Sequence, residues 1–194
     1  MKRLGFDLIL LGDPTAGKDT QAKILQKKYL LKPVESGKYW RKLAKKNNFE
    51  GRWLRRTMSM GYPTPVTLMK KFLQENLKNR PKNKDFIFVG NPRLKPEAQY
   101  LVKLLNAAHR NFFVLYLKIP VSEILKRTKS RRRLKTEDEG VRNRINYHKK
   151  QVSKTVAYFS SMRKLKFVDS MPPIPKVSAN IEKILHDYQR SARN

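Results

Sequence analysis

The sequence predicts an α/β fold, a three-layer arrangement in which helices cover both faces of a parallel central sheet. Three observations lead to this fold class. Short apolar runs of strand length alternate along the chain with segments that have the apolar spacing of amphipathic helices. The first apolar run passes into a glycine-bounded loop and then into a helix. A length of 194 residues fits one domain with room for a small insertion.

The first strand and the loop after it occupy residues 5–20. Gly12 and Gly17 bracket a turn whose backbone N–H groups can point inward at phosphate oxygens. Lys18 then extends toward the outer phosphates, and the following helix directs its N-terminal dipole at the same anion. One residue separates Lys18 from Thr20, whereas the strict pattern places Ser or Thr directly after the Lys. The strand before the loop and the helix after it still predict a phosphate-binding loop rather than a turn that binds nothing.

A basic helical insertion follows this first unit. Residues 20–30 have helical apolar spacing, and residues 33–37 are predicted as a short strand or turn. Residues 38–60 are helical and rich in Lys and Arg, with a break at Asn47–Asn48 and a stop at Gly61.

Strands and helices alternate over the rest of the chain. The further strands are predicted at residues 85–90, 112–119 and 167–169. The further helices are predicted at residues 67–77, 96–108, 121–129, 139–162 and 177–190. Ligands of such sheets bind at the carboxyl ends of the strands, so Gly12, the turn at 90–93 and Pro120 are expected to gather at one edge.

The composition limits the class of protein and of partner. The chain has 45 Lys and Arg against 15 Asp and Glu, a formal net charge of +30 that favours polyanions such as nucleotides or RNA. Solvated helix surfaces account for many of the lysines equally well. Cys is absent and the three His are scattered, so no structural zinc is expected. No apolar run is long enough for a membrane span and no leader pattern follows Met1, so we expect a cytoplasmic protein without membrane contact.

A strongly basic run occupies residues 126–135, which carry seven positive charges and no negative one. Such a run is typical of a nucleic-acid patch, of a phosphate clamp or of a solvated surface. A phosphate clamp is favoured over a nucleic-acid patch, because guanidinium groups pair with phosphate oxygens in a bidentate geometry.

Five blocks, in order along most of the chain, resemble the adenylate kinase family of nucleoside monophosphate (NMP) kinases. The block Gly12–Ala22 is similar to the family loop Gly-x-Pro-Gly-x-Gly-Lys-Gly-Thr-Gln-Ala. Glu35–Arg41 resembles the element Ser-Thr-Gly-Asp-x-x-Arg, and residues 61–66 resemble the turn that closes over the acceptor base. Gly90–Arg93 is similar to Gly-Phe-Pro-Arg. Residues 119–144 resemble the strand and helix that lead into the lid, with two arginines eleven residues apart as in the family's phosphate-binding pair.

The resemblance implies a single P-loop kinase domain over residues 1–194. Its core would comprise residues 1–35, 66–127 and 138–194, its helical NMP-binding insertion residues 36–65, and a very short lid residues 128–137. The implied reaction is reversible transfer of the γ-phosphoryl of ATP to AMP, which gives two ADP, with Mg²⁺ accompanying the ATP. The implied partners are ATP and a nucleoside monophosphate, and the expected oligomeric state is a monomer.

Residue roles also follow from the resemblance. The implied ATP-binding residues are Gly12, Asp13, Pro14, Thr15, Ala16, Gly17, Lys18, Asp19 and Thr20, with Arg127 against the donor base. The implied NMP-binding residues are Ser36, Gly37, Arg41, Thr64, Pro65, Gly90, Arg93 and Glu97. The implied catalytic residues, which converge on the transferred phosphoryl, are Lys18, Arg131, Arg133 and Arg144. Thr20 is the implied ligand of Mg²⁺.

The chain departs from the family pattern at the acidic residues that bind the metal or orient its waters. The acidic residue before Gly-Phe-Pro-Arg is replaced by Val89, and the paired aspartates expected after Arg133 are Lys135 and Thr136. The acidic residues that remain to compensate are Asp13, Asp19 and the cluster at 137–139. The lid is also reduced to Arg132 between two arginines, so ATP hydrolysis is expected to compete with transfer.

The identity of the acceptor nucleotide depends on residue 97. The family has a Gln there that recognises adenine, whereas this chain has Glu97. A carboxylate only accepts hydrogen bonds, so it suits the two adjacent donors of guanine better than adenine. Gln99 reads the base instead if the helix register differs. AMP is favoured from the overall resemblance, with GMP or a deoxynucleotide as alternatives. A further alternative is a catalytically weakened kinase-like protein that binds RNA.

Overall fold

In the described part of the chain, the computed structural model of the protein has five parallel strands between two layers of helices. The structure describes residues 1–79, 83–130, 143 and 145–191. The strands are β1 (Asp7–Gly12), β2 (Leu31–Val34), β3 (Asp85–Val89), β4 (Phe112–Lys118) and β5 (Leu165–Asp169). The helices whose bounds lie within the described residues are α1 (Lys18–Lys28), α2 (Ser36–Ala44), α3 (Phe49–Ser59), α4 (Val66–Lys78), α5 (Lys95–Ala107), α6 (Val121–Ser130), α7 (Ser153–Ser161) and α8 (Ile174–Ser191). A π-helical turn, His148–Val152, precedes α7.

The sheet has the strand order β2-β3-β1-β4-β5, with every neighbouring pair parallel. The central strand β1 is buried along its whole length, as its apolar run predicts. Two apolar clusters, one for each face of the sheet, form the core. The α/β class, the parallel sheet and the three layers predicted from the sequence are therefore confirmed.

The segment at residues 33–37 is a strand that turns directly into a helix. Pro33 lies in β2, which is an edge strand, the position where a residue without an N–H group is tolerated. Ser36 already begins α2, so the prediction of a strand or turn is correct only for the first two residues of the segment.

The break predicted at Asn47–Asn48 is confirmed, and its cause is a helix cap. The Asn48 side-chain oxygen accepts a hydrogen bond from the Gly51 backbone N–H at 2.8 Å and starts α3. A Cβ at Gly51 would lie 2.1 Å from the backbone oxygen of Lys46, so only glycine fits there. The insertion is therefore two helices joined at a tight corner.

Buried charges hold the end of the sheet opposite to the P-loop. The Asp7 carboxylate accepts hydrogen bonds from Arg110 Nε at 2.6 Å and from the Phe86 backbone N–H at 2.7 Å. Asp85 accepts from Arg3 and from the Gly5 backbone N–H. Burial raises the pKa of Asp7, against the lowering effect of Arg110. These contacts fix the start of the strands and leave their carboxyl ends for ligands.

Two parts of the predicted architecture extend beyond the described residues. Within the described residues, the helix predicted at 139–162 is observed at 143 and over 145–161, where α-helical turns enclose the π-helical turn. Most of the predicted lid, 128–137, lies outside the described residues, so its length stays a prediction. No helix in the described ranges is long and apolar enough to cross a membrane.

Candidate active site

The loop between β1 and α1 has the backbone geometry of an anion cradle. Its positive φ angles are +152° at Gly12, +62° at Thr15 and +85° at Gly17. The Ala16 backbone N–H donates to the backbone oxygen of Asp13 at 3.2 Å, which closes the turn. The Thr15 hydroxyl is buried and, within the described part of the chain, has no hydrogen-bond partner. The loop therefore leads into the N-terminus of α1 with a buried donor available to an anion.

Lys18 is the residue that joins the two sides of the site. Its ammonium donates to the backbone oxygens of Gly12 at 2.8 Å and Asp13 at 2.6 Å, so the side chain folds back across the loop. An added Cβ at Gly90 would lie 3.7 Å from Lys18 Cε. The Lys18 side chain therefore lies between the carboxyl ends of β1 and β3, where a phosphate between donor and acceptor would be held.

The Asp13 carboxylate makes structural contacts that the sequence pattern did not indicate. It accepts a hydrogen bond from the Tyr116 hydroxyl at 2.6 Å and another from the Ile119 backbone N–H at 2.9 Å. Both oxygens thus accept hydrogen bonds from the end of β4, and the replacement of a missing metal ligand by Asp13 stays a prediction. Burial, and then the neighbouring Asp13, raise the pKa of Tyr116 well above its ordinary value. The pair ties the P-loop to β4.

His148 completes this cluster, and no motif in the sequence indicated it as a site residue. Its Nδ1 atom lies 3.6 Å from an Asp13 carboxylate oxygen and 3.4 Å from the Tyr116 hydroxyl. Burial, followed by the nearby positive charge of Lys18, lowers the pKa of His148 to about 4. His148 lies in the π-helical turn before α7, far along the sequence from Asp13 and Tyr116. The imidazole is therefore neutral at pH 7.

We expect His148 to make folding less favourable in acid. Its pKa falls from 6.5 to about 4 on folding, so protons bind preferentially to the unfolded chain in this window. The contribution of neutral His148 to the free energy of unfolding is therefore fully present above pH 6.5 and is lost as the pH falls toward 4. Urea unfolding across this window tests the effect, since His148→Asn should lose less of its free energy of unfolding than the wild type. Equal losses in the two proteins would contradict it.

The acceptor side is built at the ends of β2 and β3. The buried Asn91 amide donates to the backbone oxygens of Val34 at 2.9 Å and Val89 at 3.2 Å, which joins the two strand ends. The exposed Arg93 donates from Nε to the Gly90 oxygen at 3.0 Å. These contacts place the turn at 90–93 beside the start of α2.

The predicted phosphate-binding residues of α2 lie in its first turns. Ser36 is buried at the helix start, and Arg41 is exposed. A Cβ at Gly37 would lie 3.3 Å from Arg41 Nη1, so the guanidinium rests against the glycine. Pro65 is the N-cap residue of α4, and Thr64 precedes it. The structure thus brings the α2 residues to the same edge of the sheet as Arg93.

Glu97 has a local partner instead of an open pocket. Only 1% exposed, its carboxylate accepts hydrogen bonds from the backbone N–H groups of Arg93 at 2.8 Å and Leu94 at 3.1 Å. Burial raises its pKa, while these two hydrogen bonds act in the opposite direction. The carboxylate caps the start of α5 in this arrangement, and its reading of the acceptor base stays a prediction.

Arg127 is positioned on the donor side by two contacts. It donates from Nε to the Glu123 carboxylate at 2.6 Å and from Nη2 to the Ser170 backbone oxygen at 3.3 Å. Ser170 in turn donates from its hydroxyl to the Ala16 oxygen at 2.7 Å. The loop between β5 and α8 therefore joins the P-loop to Arg127, a connection that no pattern in the sequence indicated.

The remaining predicted catalytic arginines, Arg131, Arg133 and Arg144, lie outside the described residues. The departures at Lys135 and Thr136 and the acidic cluster at 137–139 lie outside them as well. Within the described ranges, no group of three His, Asp or Glu side chains is arranged to hold a metal ion. Val89 is buried at the end of β3, while Asp19 and Thr20 lie in the first turn of α1.

Comparison with known proteins identifies the family. The family model described as adenylate kinase matches residues 10–164. Adenylate kinase 1 of Synechocystis sp. is 29% identical over 179 residues, which cover 92% of this chain and 96% of the relative. The adenylate kinase of Prochlorococcus marinus is 28% identical over 176 residues (90% and 96%), and that of Brucella melitensis 28% over 189 residues (92% and 97%). The chain therefore belongs to the adenylate kinase family and is an ATP-dependent phosphotransferase of the nucleoside monophosphate kinase class.

Proposed function

We propose that the protein reversibly transfers the γ-phosphoryl of ATP to AMP and so forms two ADP. The observation that carries this proposal is the position of Lys18, between the phosphate loop after β1 and the acceptor turn after β3. An ammonium at this point can stabilise the negative charge of a phosphoryl group during its transfer from donor to acceptor. Phosphoryl transfer requires mainly positioning and charge stabilisation from the protein.

The two nucleotides would be held by groups on opposite sides of Lys18. The P-loop backbone and the N-terminus of α1 take the donor phosphates, and Arg127 packs against the donor base. Ser36, Arg41 and Arg93 take the acceptor phosphate, because guanidinium groups match phosphate oxygens. Transfer itself forms a bond between an AMP phosphate oxygen and the γ-phosphorus while the bond to the β-phosphate oxygen breaks.

Mg²⁺ would enter with ATP and supply charge neutralisation on the phosphate oxygens. The donors that the described residues offer are few, and Mg²⁺ commonly keeps several waters and uses substrate phosphates as ligands. Thr20 and Asp19, in the first turn of α1, would face this ion or its waters. Arg131 and Arg133 of the expected lid, with Arg144 after it, would stabilise the charge on the transferred group.

Steady-state conversion of AMP, GMP, CMP and UMP, each with ATP and Mg²⁺, tests the proposed function. Chromatography of the diphosphate products identifies the acceptor. We expect ADP from AMP as the main product. A higher kcat/KM for GMP would reassign the acceptor, and the absence of any diphosphate product would contradict the proposed reaction.

The cap made by Glu97 predicts that this residue governs stability rather than acceptor choice. Glu97→Ala leaves two backbone N–H groups without their acceptor and should lower the free energy of unfolding by about 2 kcal/mol. Glu97→Gln keeps one acceptor oxygen and should cost less. Both variants should keep the wild-type ratio of kcat/KM for AMP and GMP. A shift of this ratio by more than about tenfold, equal to 1.4 kcal/mol, would restore the base-reading role.

A further inference from the structure

The outward face of α3 carries aromatic rings and guanidinium groups in one stripe. Positions spaced by three, four and seven residues share a face of a helix. The members of the stripe, all exposed, are Phe49, Arg52, Trp53, Arg56 and Met60 at the end of the helix. The opposite face is buried through Gly51 and Leu54. The stripe thus lies away from the buried Gly51 and Leu54, although Trp53 is itself partly covered.

The exposure of these rings is unusual for side chains of their size. Phe49 is 77% exposed and Trp53 is 37% exposed, although burial of either ring would be favourable. The surrounding charge is strongly positive, since residues 36–59 contain eight Lys and Arg and a single acidic residue, Glu50. Exposed rings in a positive field suit a ligand that has both flat apolar faces and negative charges.

We propose that this stripe of α3 binds single-stranded nucleic acid, with bases stacked on Phe49 and Trp53 and phosphates paired with Arg52 and Arg56. Unpaired bases offer π-faces to aromatic side chains, and the positive groups follow the phosphate backbone. Arginine also forms bidentate contacts with phosphate. The proposal goes beyond the phosphotransferase activity, because none of these four side chains belongs to the nucleotide site described above.

The alternation of rings with arginines favours a nucleic acid over a membrane surface. A membrane-bound helix buries a continuous apolar face and keeps its charges on the polar side. Here Arg56 comes seven residues after Phe49 and so shares its face of the helix, which means that insertion of the rings would carry a guanidinium with them. Duplexes are disfavoured as well, because their bases are already stacked on one another.

Fluorescence anisotropy with a labelled oligouridine of about 12 nucleotides tests the proposal. Oligouridine carries no adenine that could enter the expected AMP or ATP sites. Phe49→Ala/Trp53→Ala should weaken binding at least about tenfold, with the salt dependence of binding unchanged. Arg52→Ala/Arg56→Ala should weaken binding and reduce the slope of log K against log salt by about 1.4, or 0.7 for each phosphate contact.

A matched control removes the same charge elsewhere. Lys103→Ala/Lys183→Ala deletes two exposed lysines of α5 and α8, and its affinity should stay within about threefold of the wild type. If this control loses as much affinity as the arginine pair, net charge alone explains the binding and the proposal fails. Trp53→Phe retains a ring and should keep most of the affinity, while Trp53→Ala should not. Equal losses in these two variants would also overturn the proposal.

Two further probes separate the stripe from other sites and ligands. Lys18→Ala should bind oligouridine as the wild type does, and a loss would place the oligonucleotide in the P-loop instead. Vesicles of phosphatidylserine and phosphatidylcholine should bind Phe49→Ala/Trp53→Ala as they bind the wild type. Loss of vesicle binding with intact oligouridine binding in that variant would assign the stripe to membranes. Because no step uses catalysis, failure of the stripe leaves the proposed phosphoryl transfer untouched, and the reverse also holds.

Discussion

Lys18→Met is expected to abolish almost all phosphoryl transfer, with a fall in kcat of at least about 10²–10³-fold. The ammonium is the positive group held between the ends of β1 and β3. Loss of one preorganised donor to developing charge has effects of this size. Initial rates with ATP, Mg²⁺ and AMP, measured at saturating substrate, give the value of kcat directly.

Lys23→Met is the matched control for this prediction. Lys23 lies on the same helix α1 and is exposed, so the substitution has the same chemistry without access to the phosphate loop. Its kcat should stay within about twofold of the wild type, because surface substitutions have small effects. If Lys18→Met keeps a kcat similar to that of Lys23→Met, then the ammonium does not act on the transferred phosphoryl.

Gly12→Ala is expected to give the largest loss of stability among single substitutions in the loop. A Cβ at this position would lie 2.5 Å from the Leu117 backbone oxygen and 2.8 Å from its Cβ, at a φ of +152°. The strands β1 and β4 cannot both keep their register with this contact, since Gly12 pairs with Leu117. Overpacking and backbone strain together should lower the free energy of unfolding by about 3 kcal/mol or more.

Gly5→Ala isolates the strain from the clash. Gly5 has a φ of +82°, and an added Cβ there meets no atom within 4 Å. This variant should therefore lose only about 1 kcal/mol, which reflects the unfavourable φ. Urea unfolding of both variants measures the difference. Equal losses would mean that the close approach of β1 to β4 does not limit residue 12.

Local patterns predicted the framework of the site. The apolar run of β1, the glycines of the loop and the helix after Lys18 all follow from neighbouring residues, and their positions agree with the structure. The break between α2 and α3 was also predictable, because Asn48 provides its own cap to Gly51. Elements of this kind depend on contacts over a few residues, which a sequence pattern records directly.

The contacts that orient the site come from distant parts of the chain and were not predictable. Asp13 meets Tyr116 only because β1 and β4 are neighbours in a fixed register. Ser170 reaches Ala16 from the loop after β5, a separation of 154 residues. Glu97 was assigned to the acceptor base from the family pattern. Its carboxylate instead turns back by three or four residues to backbone N–H groups, where no Ser or Thr cap signals the turn.

The most direct test of phosphoryl transfer follows the γ-phosphoryl of ATP itself. ATP labelled with ³²P at the γ position is incubated with AMP, Mg²⁺ and the protein, and the labelled products are separated by chromatography. We predict that the label appears mainly in ADP, at the β position of the molecule formed from AMP, with inorganic phosphate as a minor product of hydrolysis. Label that appears only in inorganic phosphate, whether or not AMP is present, would contradict the proposed reaction.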